Sequence, residues 1–150
     1  MSVATCPRPM TVLIVDDEEP IRRLVERILT QAGYATATAS DGPEALRVAG
    51  TLASLDILVT DMMMPGMDGG ELARRLREDR DALKVLYVTG WSDRLFEVKL
   101  AACPGEAFLE KPFSPQSLRE AMAGLDARTD GLVTSGAFER TARDSNPKRL

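Results

Sequence analysis

The sequence predicts an α/β fold in which five parallel strands form one sheet with helices on both of its faces. Two observations support this prediction. Short apolar runs, which are typical of buried strands, alternate along the chain with segments whose apolar residues recur at helical spacing. The first apolar run, residues 11–15, has no polar side, and such a strand needs cover on both faces of the sheet.

The first helix is predicted directly after this strand. Pro20 fits its first turn and Gly33 marks its end. Its apolar stripe consists of Ile21, Leu24, Val25, Ile28 and Leu29. Residues 34–40 alternate Tyr or Thr with Ala, which predicts a half-covered strand at an edge of the sheet. Asp41 then begins the turn that leads into the second helix.

The later elements continue the alternation. Three apolar runs have the length of buried strands, and they are residues 55–61, 85–89 and 107–109. Asp68 and Glu71 stand three apart, as the N-cap and N3 carboxylates of a third helix would. A short fourth helix is predicted from about Ser92, and Ser114–Pro115 begins a fifth. Strands that alternate with helices in this way should be parallel, with right-handed crossovers.

The same pattern divides the chain into three parts. Residues 1–10 are predicted to be an N-terminal extension and residues 11–125 to form the one folded domain. Residues 126–150 are rich in Gly, Ser, Thr, Asp and Arg without sustained periodicity, which predicts a flexible C-terminal tail. This tail has too small a basic excess to be a nucleic-acid arm.

The composition excludes several classes of function. The formal net charge of −4 gives no electrostatic reason to expect nucleic acid or a membrane as partner. No apolar run approaches the length of a membrane span and no signal peptide is apparent, so a cytoplasmic protein is expected. Cys6 and Cys103 are expected to be reduced thiols. The chain contains no histidine, which excludes histidine metal ligands and histidine-based catalysis by its own residues.

Polar residues stand at the carboxyl ends of four predicted strands. Asp16 and Asp17 follow the first, Asp61 ends the third, Thr89 ends the fourth and Lys111 follows the fifth. Parallel strands bring these ends to one edge of the sheet, so the side chains are predicted to converge. Converging carboxylates need a cation, and oxygen ligands select a hard ion, foremost Mg²⁺, with Mn²⁺ or Ca²⁺ as alternatives. A lysine and a hydroxyl beside such an ion suit phosphoryl chemistry, with Asp61 as a nucleophile.

Four stretches stand at these strand ends in a specific order and spacing. They are Val15-Asp16-Asp17-Glu18, Asp61-Met62-Met63-Met64-Pro65-Gly66-Met67-Asp68-Gly69, Val88-Thr89-Gly90 and Phe108-Leu109-Glu110-Lys111-Pro112-Phe113. Together they resemble the receiver domain of two-component response regulators, from about residue 11 to residue 125. The resemblance implies the flavodoxin-like fold, a three-layer (βα)5 sandwich with strands in the order 2-1-3-4-5.

The resemblance also implies a role for each site residue. Asp61 would accept a phosphoryl group from the phosphohistidine of a partner, either a sensor histidine kinase or a histidine phosphotransfer protein. Asp16, Asp17, Asp61 and the backbone carbonyl of Met63 would bind Mg²⁺. Lys111 would neutralise the phosphoryl oxygens.

A conformational switch is implied as well. Thr89 would move towards the phosphoryl group, and the ring of Phe108 would fill the space that Thr89 leaves. The change would reach a downstream protein through the face formed by the predicted fourth helix, fifth strand and fifth helix, in a monomer or a weak phosphorylation-dependent dimer. The Lys111–Pro112 peptide bond would be cis.

Several alternatives stay open. Trp91, two positions after Thr89, either packs at the surface or shields the acyl phosphate from water. The chain is expected to be a stand-alone receiver and an acceptor, not an enzyme, although a receiver cut from a hybrid histidine kinase or a longer regulator would look similar. A binding-only receiver is disfavoured because all the site residues are present. A haloacid-type phosphatase is disfavoured because it needs an aspartate where this chain has Met63.

Overall fold

Five parallel strands form a single sheet. The structure, a computed structural model, describes residues 9–90 and 105–128, and of these it describes side chains up to residue 125. The strands are β1 (Thr11–Val15), β2 (Ala35–Ala39), β3 (Ile57–Asp61), β4 (Lys84–Thr89) and β5 (Glu106–Glu110). They lie in the order β2-β1-β3-β4-β5, and every neighbouring pair is parallel. The predicted α/β fold and its strand order are confirmed.

Four helices fall within the described residues. They are α1 (Glu19–Gln31), α2 (Gly42–Thr51), α3 (Gly69–Arg77) and the C-terminal helix (Pro115–Arg128). The C-terminal helix runs past residue 125, where the sequence predicts the end of the folded domain. Trp91 and the helix predicted from about Ser92 lie outside the described residues. A membrane span would need a longer and more apolar helix than any that the structure describes.

The helix ends that the sequence predicts are confirmed for α1, α2 and α3. Pro20 lies in the first turn of α1, and Gly33 follows its last turn with φ = 103°, a left-handed conformation that favours glycine. Asp41 caps α2 and Asp68 caps α3, because each carboxylate accepts a hydrogen bond from the amide three residues on, at 2.9 and 2.8 Å. These caps fix where α2 and α3 begin beside the sheet edge.

Two apolar layers hold the sheet between its helices. Leu13 and Val15 of β1 pack in the layer that includes residues of α2 and α3, whereas Val12 and Ile14 pack with α1 and the C-terminal helix. These four side chains are at most 1% exposed, so β1 is covered on both faces as predicted. β2 lies at the edge, and only its last residue is buried.

The carboxyl ends of β1, β3, β4 and β5 lie at one edge because the strands are parallel. The register places Asp61 beside Val88 and Thr89 beside Glu110. Asp16 and Asp17 follow β1 and Lys111 follows β5, so the loops that carry them leave from this same edge. The fold therefore gathers residues that are far apart in the sequence.

Candidate functional site

Three carboxylates meet at the carboxyl edge of the sheet. Asp16, Asp17 and Asp61 each offer an oxygen, and these oxygens lie within 4.8 Å of one another. Asp16 and Asp61 are buried, with 3% and 7% of their surface exposed, whereas Asp17 is exposed. The cluster is therefore open to solvent on one side and buried on the other.

Lys111 brings an ammonium group into this cluster. Its Nζ lies 3.3 Å from Asp61 Oδ2 and 3.4 Å from Asp16 Oδ2. The backbone amide of Lys111 donates to the carbonyl of Thr89 at 2.8 Å, which ties the lysine to the end of β4. The Lys111–Pro112 peptide bond is cis, as predicted. We call Asp16, Asp17, Asp61 and Lys111 the acidic pocket.

Burial and repulsion disturb the titration of the acidic pocket. Burial raises the pKa of Asp61 to about 6; the charge of Asp16 adds to the rise and the ammonium of Lys111 opposes it. Burial also raises the pKa of Asp16, against the hydrogen bond from the Glu18 amide. For Lys111 burial acts to lower the pKa, but the two buried carboxylates outweigh burial and raise it. Lys111 thus compensates only part of the negative charge.

The β1–α1 loop holds Asp16 by its backbone and its side chain. Asp16 Oδ1 accepts a hydrogen bond from the Glu18 amide at 2.9 Å, and the Asp16 carbonyl accepts one from Arg22 Nη1 at 2.8 Å. These bonds fix the loop from which the neighbouring Asp17 projects. The carboxylates are therefore held close together by the fold despite their repulsion.

Met63 lies at the rim of the pocket. Its amide donates to Asp61 Oδ1 at 3.3 Å, and its side chain is 50% exposed. Met62 and Met64 are buried in the apolar layer that includes residues of α2 and α3, so their side chains pack the loop against the core. The backbone of Met63 is thus the part that contacts the Asp61 carboxylate.

Gly69 is a site residue that sequence reasoning missed. Its amide donates to the Met62 carbonyl at 2.9 Å, and a Cβ at this position would lie 2.5 Å from the Asp61 carbonyl oxygen. Such a contact is too short for any other residue, so glycine lets α3 begin against the end of β3. The pair of glycines directly after the Asp68 cap was the available signal.

Thr89 and Phe108 lie on the sheet beside the pocket. Thr89 ends β4 and is fully buried, at 0% exposure. Phe108 is partly buried on β5, and its ring stacks on Tyr87 with centroids 5.2 Å apart and planes 23° apart. The structure therefore gathers Asp16, Asp17, Asp61 and Lys111 in one cluster, with Thr89 at the next strand end and Phe108 further along the sheet.

The cluster fits a hard metal cation. Its three aspartates offer only oxygen, and two of them are buried with raised pKa values, so a cation between them would relieve their repulsion. The family model of the response regulator receiver domain matches residues 12–123 of the chain, which include all four residues of the acidic pocket. The chain belongs to this family.

Relatives of known sequence support the assignment to the receiver domain family. The chain is 39% identical over 109 residues to the sensor kinase CckA of Brucella abortus, a match that covers 72% of this chain and 12% of CckA. It is 34% identical over 128 residues to the alkaline phosphatase synthesis transcriptional regulatory protein PhoP of Bacillus subtilis, covering 85% of this chain and 53% of PhoP. The chain thus spans about half or less of these relatives, and it is homologous to the receiver portion of such proteins.

A solved structure agrees with the sheet and helices described above. A response regulator receiver domain protein from Clostridium thermocellum matches with a TM-score of 0.71 and 30% identity, over 83% of this chain and 99% of that one. The receiver fold is therefore shared over nearly all of a receiver domain whose structure is known.

Proposed function

We propose that this receiver accepts a phosphoryl group on Asp61 from the phosphohistidine of a partner, a sensor histidine kinase or a histidine phosphotransfer protein. The observation that carries the proposal is the buried Asp61 carboxylate, which Lys111 contacts at 3.3 Å beside two further aspartates. These 150 residues contain no histidine, so the phosphohistidine must lie outside this sequence.

Asp61 is prepared to act as the nucleophile. With a pKa of about 6 it is mostly ionised at neutral pH, yet burial keeps it more basic than an ordinary aspartate. In the transfer, a carboxylate oxygen forms a bond to phosphorus while the bond between phosphorus and the donor imidazole nitrogen breaks, and its electron pair stays on that nitrogen. The Met63 amide, 3.3 Å from Asp61 Oδ1, orients the carboxylate for this displacement.

The acidic pocket would hold Mg²⁺ during the transfer. The ligands of the Mg²⁺ ion would be Asp16, Asp17, Asp61 and the Met63 carbonyl. Bound Mg²⁺ supplies positive charge that offsets the charge on the phosphoryl oxygens. The ammonium of Lys111, already placed between two carboxylates, would pair with a phosphoryl oxygen in the same way.

Phosphorylation would then change the conformation of the sheet edge. The hydroxyl of Thr89 would turn towards the phosphoryl group, and the ring of Phe108 would move into the space that Thr89 leaves. The downstream protein would recognise the altered face around β5 and the C-terminal helix. A sensor kinase and a transcriptional regulator are among the relatives. These relatives support a receiver that accepts the phosphoryl group from one partner and passes the signal to another.

An apolar surface beside Lys111 would receive the phosphoryl donor. Ile21 and Leu24 of α1 line a shallow cavity together with Pro112 and Phe113, and Leu24 is 37% exposed. A large exposed apolar side chain next to the reacting lysine suits the apolar stripe of a partner helix. Leu24→Asp should therefore slow transfer from a protein donor and leave labelling by acetyl phosphate unchanged.

An acceptor role without other catalysis is a further part of the proposal. A phosphatase that uses an aspartyl nucleophile would need a general acid two residues later, and Met63 has no proton to transfer. The acidic pocket also supports acceptance better than binding alone, because Lys111 contacts Asp61 and the oxygens of Asp16 and Asp17 lie within 4.8 Å of it.

Phosphotransfer profiling tests the proposed function. The purified chain is mixed with each phosphorylated histidine kinase of its source organism, and transfer of label is followed over time. Wild type should be labelled by a cognate kinase, and Asp61→Asn should not. Asp68→Asn is the matched control, since Asp68 lies in the same loop and asparagine caps a helix as well as aspartate does. Label that persists in Asp61→Asn would contradict the proposal.

A further inference from the structure

A buried carboxylate lies outside the acidic pocket, at the opposite end of β5. Glu106 begins β5 and is 4% exposed. Arg77 Nη1 of α3 lies 2.6 Å from Glu106 Oε2, and the hydroxyl of Tyr87 donates to the same oxygen at 3.2 Å. Arg77 Nε and Nη2 also donate to the Leu83 carbonyl, at 3.2 and 3.0 Å. A buried charge with such bonds fixes the side chains that make them.

This network ends on the ring that supports Phe108. Tyr87 and Phe108 are register partners on β4 and β5, and their rings stack with centroids 5.2 Å apart. Glu106 pairs with Val85 on the amino side of this stack, whereas Thr89 pairs with Glu110 on the carboxyl side. The hydrogen bond from the Tyr87 hydroxyl to Glu106 therefore holds the ring from the side that is farther from the acidic pocket.

We propose that Arg77, Glu106 and Tyr87 form a positioning network that sets how readily Phe108 switches. The inference rests on the proposed function, in which Phe108 moves towards the space beside Thr89. That movement runs along the sheet from Tyr87 towards the pocket, so Phe108 must either leave the Tyr87 ring or move together with it. By tethering Tyr87, Glu106 stabilises the arrangement with Phe108 in the stack and opposes the switch.

A network with only a structural role would have a different signature. Arg77 joins α3 to the start of β4 and to β5, so its loss would lower stability whatever Phe108 does. Removing the Tyr87 hydroxyl is more selective, because Tyr87→Phe keeps the ring that stacks on Phe108 and removes the hydroxyl that bonds to Glu106. A shift in the switching equilibrium, separate from stability, identifies the positioning role.

The test compares Tyr87→Phe with Tyr34→Phe in the full chain. Tyr34 is partly buried in the apolar layer on the other face of the sheet, so the control makes the same chemical change away from Phe108. The probe is beryllofluoride in saturating Mg²⁺, a stable mimic of the phosphoryl group on a carboxylate. Its Kd and the ring signals of Phe108 are measured by NMR, with thermal unfolding recorded in parallel.

Tyr87→Phe should bind beryllofluoride roughly threefold or more tightly than wild type, because less free energy holds Phe108 in the stack. Tyr34→Phe should match wild type. Glu106→Gln keeps an acceptor for Tyr87 but removes the charge that binds Arg77, so its Kd should lie between those of wild type and Tyr87→Phe. If Tyr87→Phe does not fold, Glu106→Gln decides alone.

Three results would overturn the positioning network alone. They are equal Kd values for the variants and wild type, weaker binding by Tyr87→Phe, and equally tighter binding by both tyrosine variants. A wild type that does not bind beryllofluoride, or whose Phe108 signals do not move on binding, would overturn the proposed function as well. The two failures are therefore distinguishable.

Discussion

Two groups of charged residues, one at the carboxyl edge of the sheet and one on α3, behave in opposite ways. The acidic pocket is mostly buried and holds three carboxylates with one lysine. The second group, the α3 cluster, consists of Glu71, Arg74, Arg75 and Glu78 on the outside of the helix. In the α3 cluster Glu71 Oε2 lies 2.7 Å from Arg74 Nη2 and 2.8 Å from Arg75 Nε.

The two groups shift the pKa values of their carboxylates in opposite directions. Hydrogen bonds from Arg74 and Arg75 lower the pKa of Glu71 to about 2, while burial raises that of Asp61 to about 6. In the α3 cluster two arginines balance two glutamates in contact with water, so no additional cation is needed to neutralise it. The acidic pocket has excess negative charge out of water, and such an arrangement suits a cation and a phosphoryl group. Burial and charge balance, more than residue type, separate a functional site from a solvated surface.

The largest expected effect is on metal binding. Asp17→Asn should weaken Mg²⁺ binding at least about tenfold, since even residues behind the ligands typically contribute about 10–100-fold. Glu71→Gln, which removes a charge from the α3 cluster, should leave the Mg²⁺ Kd unchanged. Isothermal titration calorimetry at neutral pH measures both. Equal losses in the two variants would mean that Mg²⁺ responds to net charge and not to the pocket.

The backbone beneath the pocket should be nearly as sensitive. Gly69→Ala would place a Cβ 2.5 Å from the Asp61 carbonyl oxygen, so it should lower the free energy of unfolding by about 1–3 kcal/mol. Gly70→Ala is the matched control, because its Cβ would lie at an ordinary 3.5 Å from Asp68 Oδ1. Urea denaturation compares the two variants. If they unfold alike, the close approach of α3 to β3 is not a constraint.

The excess charge of the pocket should reduce stability without metal. Because folding raises the pKa of Asp61 from 3.8 to about 6, the folded state favours the protonated acid. The stability that this preference contributes is therefore present below about pH 4 and is lost as the pH rises through about 6. In EDTA at pH 7, Asp61→Asn should therefore be more stable than wild type by about 1–3 kcal/mol.

The pH dependence of that difference provides the check. The advantage of Asp61→Asn should shrink as the pH falls through about 6 and should disappear below about 4, where the wild-type carboxyl is protonated in both states. Denaturation curves across this range measure it. An Asp61→Asn variant that is no more stable than wild type at pH 7 would show that Lys111 already balances the pocket.

The smallest effect should come from the α3 cluster. Glu71→Gln should change Tm less than Asp61→Asn does, because its ion pairs are exposed to water and to salt. The lowered pKa of Glu71 makes its small contribution present above its unfolded pKa and lost as the pH falls towards about 2. Thermal unfolding at low and high salt provides the measurement. A larger change in Tm than for Asp61→Asn would reverse the comparison.

Sequence reasoning reached the convergence of Asp16, Asp61 and Lys111 because it depends on local patterns and one rule. Each residue stands at the end of an apolar run, and parallel strands share an edge. Charge and spacing indicated a hard cation and phosphoryl chemistry but left several metals open. The role of each residue came from the resemblance to a family.

Contacts between distant elements could not be predicted in the same way. Glu106 meets Arg77 across 29 positions, and no periodicity marks either residue as buried. The close approach at Gly69 depends on how α3 meets β3, which a turn signal does not specify. The C-terminal helix continues to Arg128 although the apolar stripe ends earlier, because backbone hydrogen bonds can extend a helix beyond its packed face.

The central claim is that the acidic pocket makes Asp61 a Mg²⁺-dependent phosphoryl acceptor. Intact-protein mass spectrometry after incubation with acetyl phosphate tests this claim most directly, with wild type and Asp61→Asn each measured in Mg²⁺ and in EDTA. The account predicts a hydroxylamine-labile phosphoryl adduct on wild type in Mg²⁺ alone. An adduct of equal yield on Asp61→Asn, or one on wild type that forms equally in EDTA, would contradict it.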